Sequence, residues 1–282
     1  ALGAEVPLRP HVVAIGPDVD EHWQGARVTG DTMLGCGVCA RCLRGHHHVC
    51  ANRYEVGIRG GWPGALAEQL LLPANALHRL PAHLPATAGA LVEPAGCALR
   101  AVDAAQIMPG EEVCMWGPGT LGLLALQFAV TRGAVVDVVG IDAEKLALAT
   151  KLGARSVLLA ADAANGPMDR YACVIDTSNS PDVANLAVHQ VEPSGRVVLI
   201  GLADTPSTID TRDVVFRDIT MVGILAASAG LDGAIELLAS GAIQTEPLVA
   251  ATVGLDDVAD VLAGQRPRGA GPGPKIHVDP RL

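Results

Sequence analysis

Aromatic residues are scarce in this chain: phenylalanine, tryptophan and tyrosine together make up 2% of its 282 residues. The core must therefore be built from valine, leucine, isoleucine and alanine, a composition typical of helices packed on a buried parallel sheet. Half of the residues are hydrophobic, which excludes an intrinsically disordered chain. The length allows two hydrophobic cores, so we expect a globular protein of two domains.

Basic residues are also in short supply, since 20 Lys and Arg stand against 30 Asp and Glu and the formal net charge is −10. An acidic chain offers no electrostatic footprint for nucleic acid or an anionic membrane, and we expect neither as a partner. The richest apolar run, Leu121 to Val130, is too short to span a bilayer. The opening ALGAEVPLRP lacks the basic start and apolar stretch of a signal peptide. We therefore predict a cytoplasmic protein.

Cysteine is concentrated in one short stretch. Four of the seven follow the spacing C-x2-C-x2-C-x7-C: Cys36, Cys39, Cys42 and Cys50. Such spacing lets one tight loop wrap a tetrahedral zinc ion, and four thiolates leave no open position, so we predict a structural zinc. In a small secreted protein the same density would indicate disulfides, but the other three cysteines are scattered through apolar surroundings of a long chain. The adjacent His46, His47 and His48 are interpreted as an exposed loop tip.

A glycine-rich motif stands between an apolar strand and an apolar helical run, in the order G-x-G-x-x-G. A second strand, Ala134 to Ile141, follows at the distance that a βαβ unit requires. In this context the glycines would form a tight turn, admit a pyrophosphate and bring the helix close to the strand. The helix N-terminus would then favour the bound anion. We therefore predict a dinucleotide site that includes Gly117, Pro118, Gly119, Thr120, Leu121 and Gly122.

The residue after the second strand bears on the choice of dinucleotide. Asp142 lies 20 positions after Gly122, where a carboxylate can accept hydrogen bonds from both ribose hydroxyls, and this favours NAD. If the strand ends slightly earlier, Gly140 takes that place and leaves room for the 2′-phosphate of NADP. No arginine follows at once to hold such a phosphate, so NAD is the first expectation.

The remaining chain keeps alternating between apolar strands and helices, which predicts further crossover units of a doubly wound parallel Rossmann sheet. Ligands of such sheets lie beyond the carboxyl ends of the strands. Four more residues are therefore candidates to line the cofactor cleft: Thr177, Gly201, Leu202 and Ile224.

A cysteine knot ahead of a Rossmann unit resembles the zinc-containing medium-chain dehydrogenases, the alcohol, polyol and threonine dehydrogenase superfamily. The resemblance runs from about His11 to the end of the chain. It implies a GroES-like β-barrel domain, incomplete in this chain, over 1–92 and 245–282, with the zinc lobe at 36–50. The Rossmann domain would occupy 93–244. Family members often pair through the last strands of the Rossmann sheet, which implies a homodimer or homotetramer.

The resemblance also implies a second, catalytic zinc. Glu93, in ALVEPAGCAL, matches the third catalytic-metal position of the family, and Glu93-Pro94 is similar to the polyol and aminocyclitol dehydrogenases. The implied activity is an NAD(P)-linked interconversion of a secondary alcohol and a ketone, with a small hydroxyl or keto compound as substrate. Two alternatives stay open: a zinc-independent reductase of the quinone or enoyl type, and a nucleotide-binding homologue without the catalytic zinc.

The opening of the chain departs from the family pattern, because the early catalytic cysteine and the Gly-His-Glu triplet do not occur in the sequence. LGAE could be a degraded triplet in which Ala4 replaces the histidine, or the decapeptide could be the first barrel strand with several dozen residues omitted between Pro10 and His11. We favour the omission, because a barrel that lacks consecutive strands cannot close and exposes unpaired edges. Without that segment we predict NAD binding but no alcohol oxidation.

Overall fold

A computed structural model of the chain describes residues 11–166 and 168–282. The interpretations of the opening decapeptide fall outside this part of the chain. The described residues divide into two compact units. Unit 1 comprises 11–96, 226–271 and 275–282, and unit 2 comprises 97–225 and 272–274. Residues 226–244, predicted to belong to the Rossmann domain, are grouped with unit 1 in this division.

The strands and helices of the described residues alternate as predicted through the middle of the chain. The strands are β1 Val28–Gly30, β2 Met33–Leu34, β3 Tyr54–Glu55, β4 Leu77–Arg79, β5 Glu112–Trp116, β6 Val135–Gly140, β7 Ser156–Leu159, β8 Tyr171–Asp176, β9 Val191–Leu199, β10 Thr220–Gly223, β11 Val249–Val253 and β12 Lys275–Val278. The α-helices are α1 Ala40–Leu43, α2 Ala86–Gly89, α3 Val92–Ala105, α4 Thr120–Thr131, α5 Ala143–Lys151, α6 Ala160–Ala163, α7 Val183–Gln190, α8 Thr211–Phe216, α9 Leu231–Ala239 and α10 Val258–Leu262. Short 3₁₀ turns connect several of them.

Unit 2 is built on a parallel sheet. Its described strands form six neighbours in the order β10-β9-β8-β5-β6-β7, and each adjacent pair is parallel. The chain runs outward from β5 through β6 to β7, then returns to the other side of β5 and continues through β8, β9 and β10. This reversal creates a crevice between β5 and β8 at the carboxyl ends of the strands, where doubly wound folds bind their ligands. The predicted doubly wound sheet is confirmed.

The core beside this sheet is built mainly from aliphatic side chains, as the low aromatic content predicted. Val174, Val188 and Val197 are fully buried against one another together with other aliphatic side chains. Trp116 also lies in this cluster, and its indole Nε1 donates to Oε1 of Gln190 at 2.9 Å. The amide of Gln190 in turn donates to the Ala163 carbonyl at 3.0 Å, so these buried polar groups are satisfied.

The described strands of unit 1 form three two-stranded sheets. β1 pairs with β4 and β2 with β3 in antiparallel fashion, whereas β11 and β12 are parallel. A small apolar cluster of Leu34, Val56 and Ala76 lies beneath the first two pairs, with Trp62 packed against it. These sheets agree with the predicted incomplete barrel. No helix within the described ranges has both the length and the apolar character needed to cross a membrane.

The strand that precedes Asp142 is shorter than predicted. It covers Val135–Gly140 rather than Ala134 to Ile141. Ile141 is 88% exposed and takes no part in the ladder. This difference of one residue decides which side chain stands at the carboxyl end of β6.

Candidate cofactor site and metal centre

The turn between β5 and α4 places the glycine motif at the crevice of the sheet. Gly117 has φ +94°, and its N–H donates to the Val139 carbonyl at 2.9 Å. A Cβ at this position would lie 2.9 Å from the backbone nitrogen of Ser178. Both the left-handed backbone and the close approach of the next strand's loop therefore require glycine.

The other two glycines differ in what surrounds them. A Cβ at Gly122 would lie 2.0 Å from the Gly117 carbonyl oxygen, so this glycine lets α4 pack directly on the turn. A Cβ at Gly119 would meet no atom within 4 Å. Gly119 is also the N-cap of α4, and no side chain caps the helix there. The N-terminus of α4 therefore has no side-chain cap and has open space beside Gly119, which fits a phosphate group.

The loop after β8 holds the glycine turn in place. The Thr177 hydroxyl lies 2.7 Å from the carbonyl oxygens of both Trp116 and Gly117, and its one proton is shared between these two acceptors. The Thr177 N–H donates to the Trp116 carbonyl at 2.9 Å. Thr177, predicted as a cofactor contact, thus lies at the predicted edge and anchors the turn that would contact a pyrophosphate.

Asp176 and Ser178 are a feature of this edge that the sequence reasoning missed. Oδ1 of Asp176 accepts from the Ser178 N–H at 2.8 Å and from its Oγ at 2.7 Å. Burial raises the pKa of Asp176, because the two Ser178 donors offset the loss of solvent only in part. The sequence contained this signal, because Asp176 and Ser178 flank Thr177, the residue predicted to contact the cofactor.

The last predicted cleft residues also lie beyond the carboxyl ends of the strands. Gly201 follows β9, and a Cβ there would lie 1.9 Å from the Ser178 carbonyl oxygen. Leu202 is 78% exposed. Ile224 follows β10 and donates through its N–H to the Leu199 carbonyl at 2.9 Å. The structure therefore places these residues on one edge of the sheet, and their contact with a cofactor stays a prediction.

Asp142 lies two residues beyond the end of β6 and caps α5. Its Oδ1 accepts from the backbone N–H groups of Glu144 at 3.0 Å and Lys145 at 3.2 Å. Its Oδ2 lies 3.3 Å from the Lys145 ammonium. The Lys145 backbone N–H is the main reason that the pKa of Asp142 is lowered. The role of Asp142 as the ribose acceptor stays a prediction, and its carboxylate already has these partners.

The four clustered cysteines have the arrangement of a tetrahedral metal centre. Their Sγ atoms all lie within 4.8 Å of one another. The measured separations are 3.9 Å for Cys36 and Cys42, 3.6 Å for Cys39 and Cys42, and 3.8 Å for Cys39 and Cys50. A zinc–sulfur distance of about 2.3 Å gives a tetrahedron with edges of about 3.8 Å. The cysteines are free rather than disulfide-bonded, and the donor set fits zinc.

The prediction that the three histidines beside the cysteines form an exposed loop tip is wrong for His48. His48 is 7% exposed. His47 Nε2 lies 2.7 Å from Oδ2 of Asp31, a buried carboxylate. Oδ1 of Asp31 accepts from the Met33 N–H at 2.9 Å and from Ser228 Oγ at 3.1 Å. Asp31 therefore ties the cysteine loop to β2 and to the segment before α9 within unit 1.

Glu93 lies in the first turn of α3 and is half-buried, four residues before the half-buried Cys97. The four-cysteine cluster is the one group of three or more potential ligands found in the described ranges, and Glu93 is not part of it. The predicted place of Glu93 in a catalytic zinc site stays a prediction.

Comparison with known proteins gives matches over both parts of the chain. Residues 9–82 match the alcohol dehydrogenase GroES-like domain, and residues 120–240 match the zinc-binding dehydrogenase family. D-arabitol-phosphate dehydrogenase of Enterococcus avium is 31% identical over 251 residues, which cover 84% of this chain and 71% of that protein. L-threonine 3-dehydrogenase of Pectobacterium atrosepticum is 29% identical over 221 residues, which cover 76% of this chain. The chain spans 60% of the length of that threonine dehydrogenase.

Solved structures agree with these matches. A protein of Sinorhizobium meliloti 1021, described as a zinc-binding dehydrogenase and solved with NADP, has a TM-score of 0.88 and 28% identity, covering 96% of this chain and 81% of that one. Galactitol-1-phosphate dehydrogenase of Escherichia coli has a TM-score of 0.80 and 26% identity, covering 91% and 80%. The doubly wound sheet with its glycine turn defines a dinucleotide-binding class of fold. The chain belongs to the zinc-containing medium-chain dehydrogenase/reductase superfamily, as the sequence resemblance predicted.

Proposed function

We propose that the protein is an NAD(P)-dependent dehydrogenase that interconverts a secondary alcohol and a ketone. The observation that carries the proposal is the turn at the start of α4. Gly117 and Gly122 are packed too closely for any side chain, while an added Cβ at Gly119 would meet nothing within 4 Å and no side chain caps the helix. Dinucleotide pyrophosphates bind at such turns, at the reversal point of a doubly wound sheet.

Different residues at the carboxyl ends of the strands would bind different parts of the dinucleotide. The α4 N-terminus would receive the pyrophosphate, and Thr177 would keep the turn in its binding shape through the hydroxyl proton shared by the Trp116 and Gly117 carbonyls. Gly201, Leu202 and Ile224 would line the cleft nearer the reacting end. A bound nicotinamide supplies the hydride acceptor or donor.

We propose two roles for zinc. The four cysteines would hold a structural ion, since four thiolates leave no position for substrate. Together with the family's cysteine and histidine ligands, which do not occur in this sequence, Glu93 would contribute to a separate catalytic centre, either as a direct ligand or by holding a metal-bound water. Zinc bound there would polarise the substrate oxygen.

The substrate class is proposed to be a polyol, cyclitol or aminocyclitol. Relatives named for D-arabitol phosphate and galactitol 1-phosphate support a polyol-like compound. The Glu93-Pro94 pair supports the same class through the resemblance described above. We further propose that the protein is cytoplasmic, which agrees with its free cysteines, and that it forms a homodimer or homotetramer.

A panel assay tests the proposed activity. The purified protein is mixed with NAD⁺ or NADP⁺ and with polyols, cyclitols and aminocyclitols, and formation of the reduced nicotinamide is followed by absorbance. From a protein that includes the segment with the early cysteine and the Gly-His-Glu triplet, we expect oxidation of at least one class, together with two zinc ions per chain by elemental analysis; without that segment we expect dinucleotide binding only. Cofactor binding without oxidation and with one zinc would instead support the nucleotide-binding alternative.

The structural zinc has its own test. Cys39→Ser should remove one zinc ion per chain and lower the melting temperature, because three thiolates hold the ion less well and the loop depends on it. Cys173→Ala is the matched control, since Cys173 is buried in the sheet far along the chain from the cluster and its replacement should leave the zinc content unchanged. Unchanged zinc in both variants would refute the structural assignment.

A further inference from the structure

The end of strand β6 carries information about the dinucleotide, provided that the proposed function holds. In doubly wound folds an acidic side chain about 20 residues after the glycine motif holds the ribose hydroxyls of NAD, whereas NADP requires space and positive charge at that point. The two candidate positions in this chain are Gly140, which ends β6, and Asp142, which lies two residues further on.

Gly140 cannot carry a side chain in this structure. A Cβ there would lie 2.6 Å from both Cδ and Cγ of Pro118 and 3.3 Å from Cδ2 of Leu146. Pro118 belongs to the glycine motif, so a larger residue at the strand end would displace the turn itself. The contact with Pro118 therefore keeps a carboxylate away from the end of the strand.

The Asp142 carboxylate already caps helix α5 and pairs with Lys145. One carboxylate oxygen accepts both N–H bonds that cap α5, and the other faces the ammonium of Lys145 at 3.3 Å. A bidentate grip on a ribose diol would compete with this cap and with the Lys145 ion pair for the same two oxygens. The ion pair with Lys145 also cancels the charge that would otherwise repel a phosphate.

We propose that Gly140 occupies the ribose position in this chain, and that the site accepts the 2′-phosphate of NADP at least as readily as the 2′-hydroxyl of NAD. Lys145 is the cation that would face the phosphate. Asp142 positions α5 and does not select NAD.

Fluorescence titration of the zinc-loaded protein with NADPH and NADH tests the proposal. We expect the dissociation constant for NADPH to be equal to or below that for NADH. Binding of NADH that is tenfold tighter than binding of NADPH would overturn the inference while leaving the proposed dehydrogenase intact. Failure of both dinucleotides to bind would instead overturn the proposed function.

Two variants separate the role of Asp142 from that of its neighbours. Asp142→Asn keeps a side chain that caps helices equally well and removes the charge, so NADH affinity should stay within twofold of the parent. A tenfold loss of NADH affinity at an unchanged melting temperature would show that Asp142 holds the ribose and would refute the proposal. Lys145→Gln should weaken NADPH several-fold and leave NADH unchanged. Glu144→Gln, at the exposed position between them, is the matched control and should change neither.

Discussion

The two edges of the parallel sheet in unit 2 are built in opposite ways. At the amino ends of the strands, charged side chains from four strands and their flanking residues meet and satisfy one another. At the carboxyl ends, glycines and small polar residues leave backbone groups and space exposed. The amino edge therefore stabilises the sheet, whereas the carboxyl edge leaves room for a ligand.

Asp137 is the centre of the amino edge. It is fully buried, and its carboxylate accepts from Arg155 at 2.8 and 2.6 Å, from Ser156 Oγ at 2.7 Å and from the Tyr171 hydroxyl at 3.1 Å. Arg170 adds a further bond at 3.0 Å. Burial acts to raise the pKa of Asp137, but the Arg155 and Ser156 donors outweigh it, so the pKa is lowered.

The carboxyl edge shows the reverse electrostatics. The Asp176 carboxylate accepts from the backbone N–H and the hydroxyl of Ser178, and burial raises its pKa. Gly119 and the start of α4 stay uncovered on the same edge. The open space at Gly119 and the helix N-terminus without a side-chain cap leave this edge able to receive an anionic ligand.

The largest expected effect is at the centre of the amino edge. Asp137→Ala removes the shared acceptor of Arg155, Arg170 and the buried Tyr171 hydroxyl, and the unsatisfied donors should lower the free energy of unfolding by about 1–3 kcal/mol. Urea unfolding followed by circular dichroism measures the change. Asp103→Asn is the control, since Asp103 forms a half-exposed pair with Arg132 and should cost less than about 1 kcal/mol. Equal effects of the two variants would contradict the picture of a stabilising edge.

A pair of glycine variants sharpens the contrast at the carboxyl edge. Gly122→Ala forces a contact with the Gly117 carbonyl, so both the melting temperature and cofactor affinity should fall, the affinity by tenfold or more. Gly119→Ala has room for its methyl group, so the melting temperature should stay within a few degrees while dinucleotide affinity falls several-fold. Calorimetry and fluorescence titration give the two readouts. Retained affinity in Gly119→Ala would show that the open space above this residue is not the phosphate site.

The pH dependence of stability should differ between the edges. Hydrogen bonds from Arg155 and then Arg170 lower the pKa of Glu112 to about 2 from its ordinary 4.5. A lowered folded-state pKa contributes stability above the unfolded value, and this is lost as the pH falls from about 4.5 towards 2. The raised pKa of Asp176 has the opposite sign: its contribution is present in acid and is lost as the pH rises through the folded-state value.

Chemical unfolding at several pH values tests this difference. Glu112→Gln should flatten the loss of stability on the acid side. Asp176→Asn keeps an oxygen that can accept from Ser178, and it should leave stability at neutral pH no lower than that of the parent. A marked loss at neutral pH in Asp176→Asn would mean that the ionised carboxylate has a favourable partner at this edge.

The smallest effect is expected at Thr177. Thr177→Val keeps the shape of the side chain and removes the hydroxyl proton shared by the Trp116 and Gly117 carbonyls, at a cost of about 1 kcal/mol. Dinucleotide affinity should fall a few-fold, because the turn is held less firmly. Ser180→Ala, which removes a longer bond in the same loop, should change the affinity less. An identical response of the two variants would show that Thr177 has no special part in shaping the turn.

The sequence by itself determined the features whose partners lie close together along the chain. The cysteine spacing is confined to 36–50, and the glycine order is confined to one strand-to-helix turn, so both could be interpreted from local geometry alone. The alternation of apolar strands and helices likewise predicted the doubly wound sheet, because each crossover unit is a local repeat of one pattern.

Only the tertiary structure decided the features that depend on residues distant in sequence. The burial of Asp137 is compensated by arginines 18 and 33 positions later, which become neighbours only when the strands align. Asp31 finds His47 and Ser228 in the same way. β6 ends at Gly140, where an added Cβ would lie 2.6 Å from the ring of Pro118, and this close packing bears on which group lies at the proposed ribose position. A sequence pattern specifies which residues are apolar and how they alternate, whereas long-range packing sets the exact end of a strand and the partners of a buried charge.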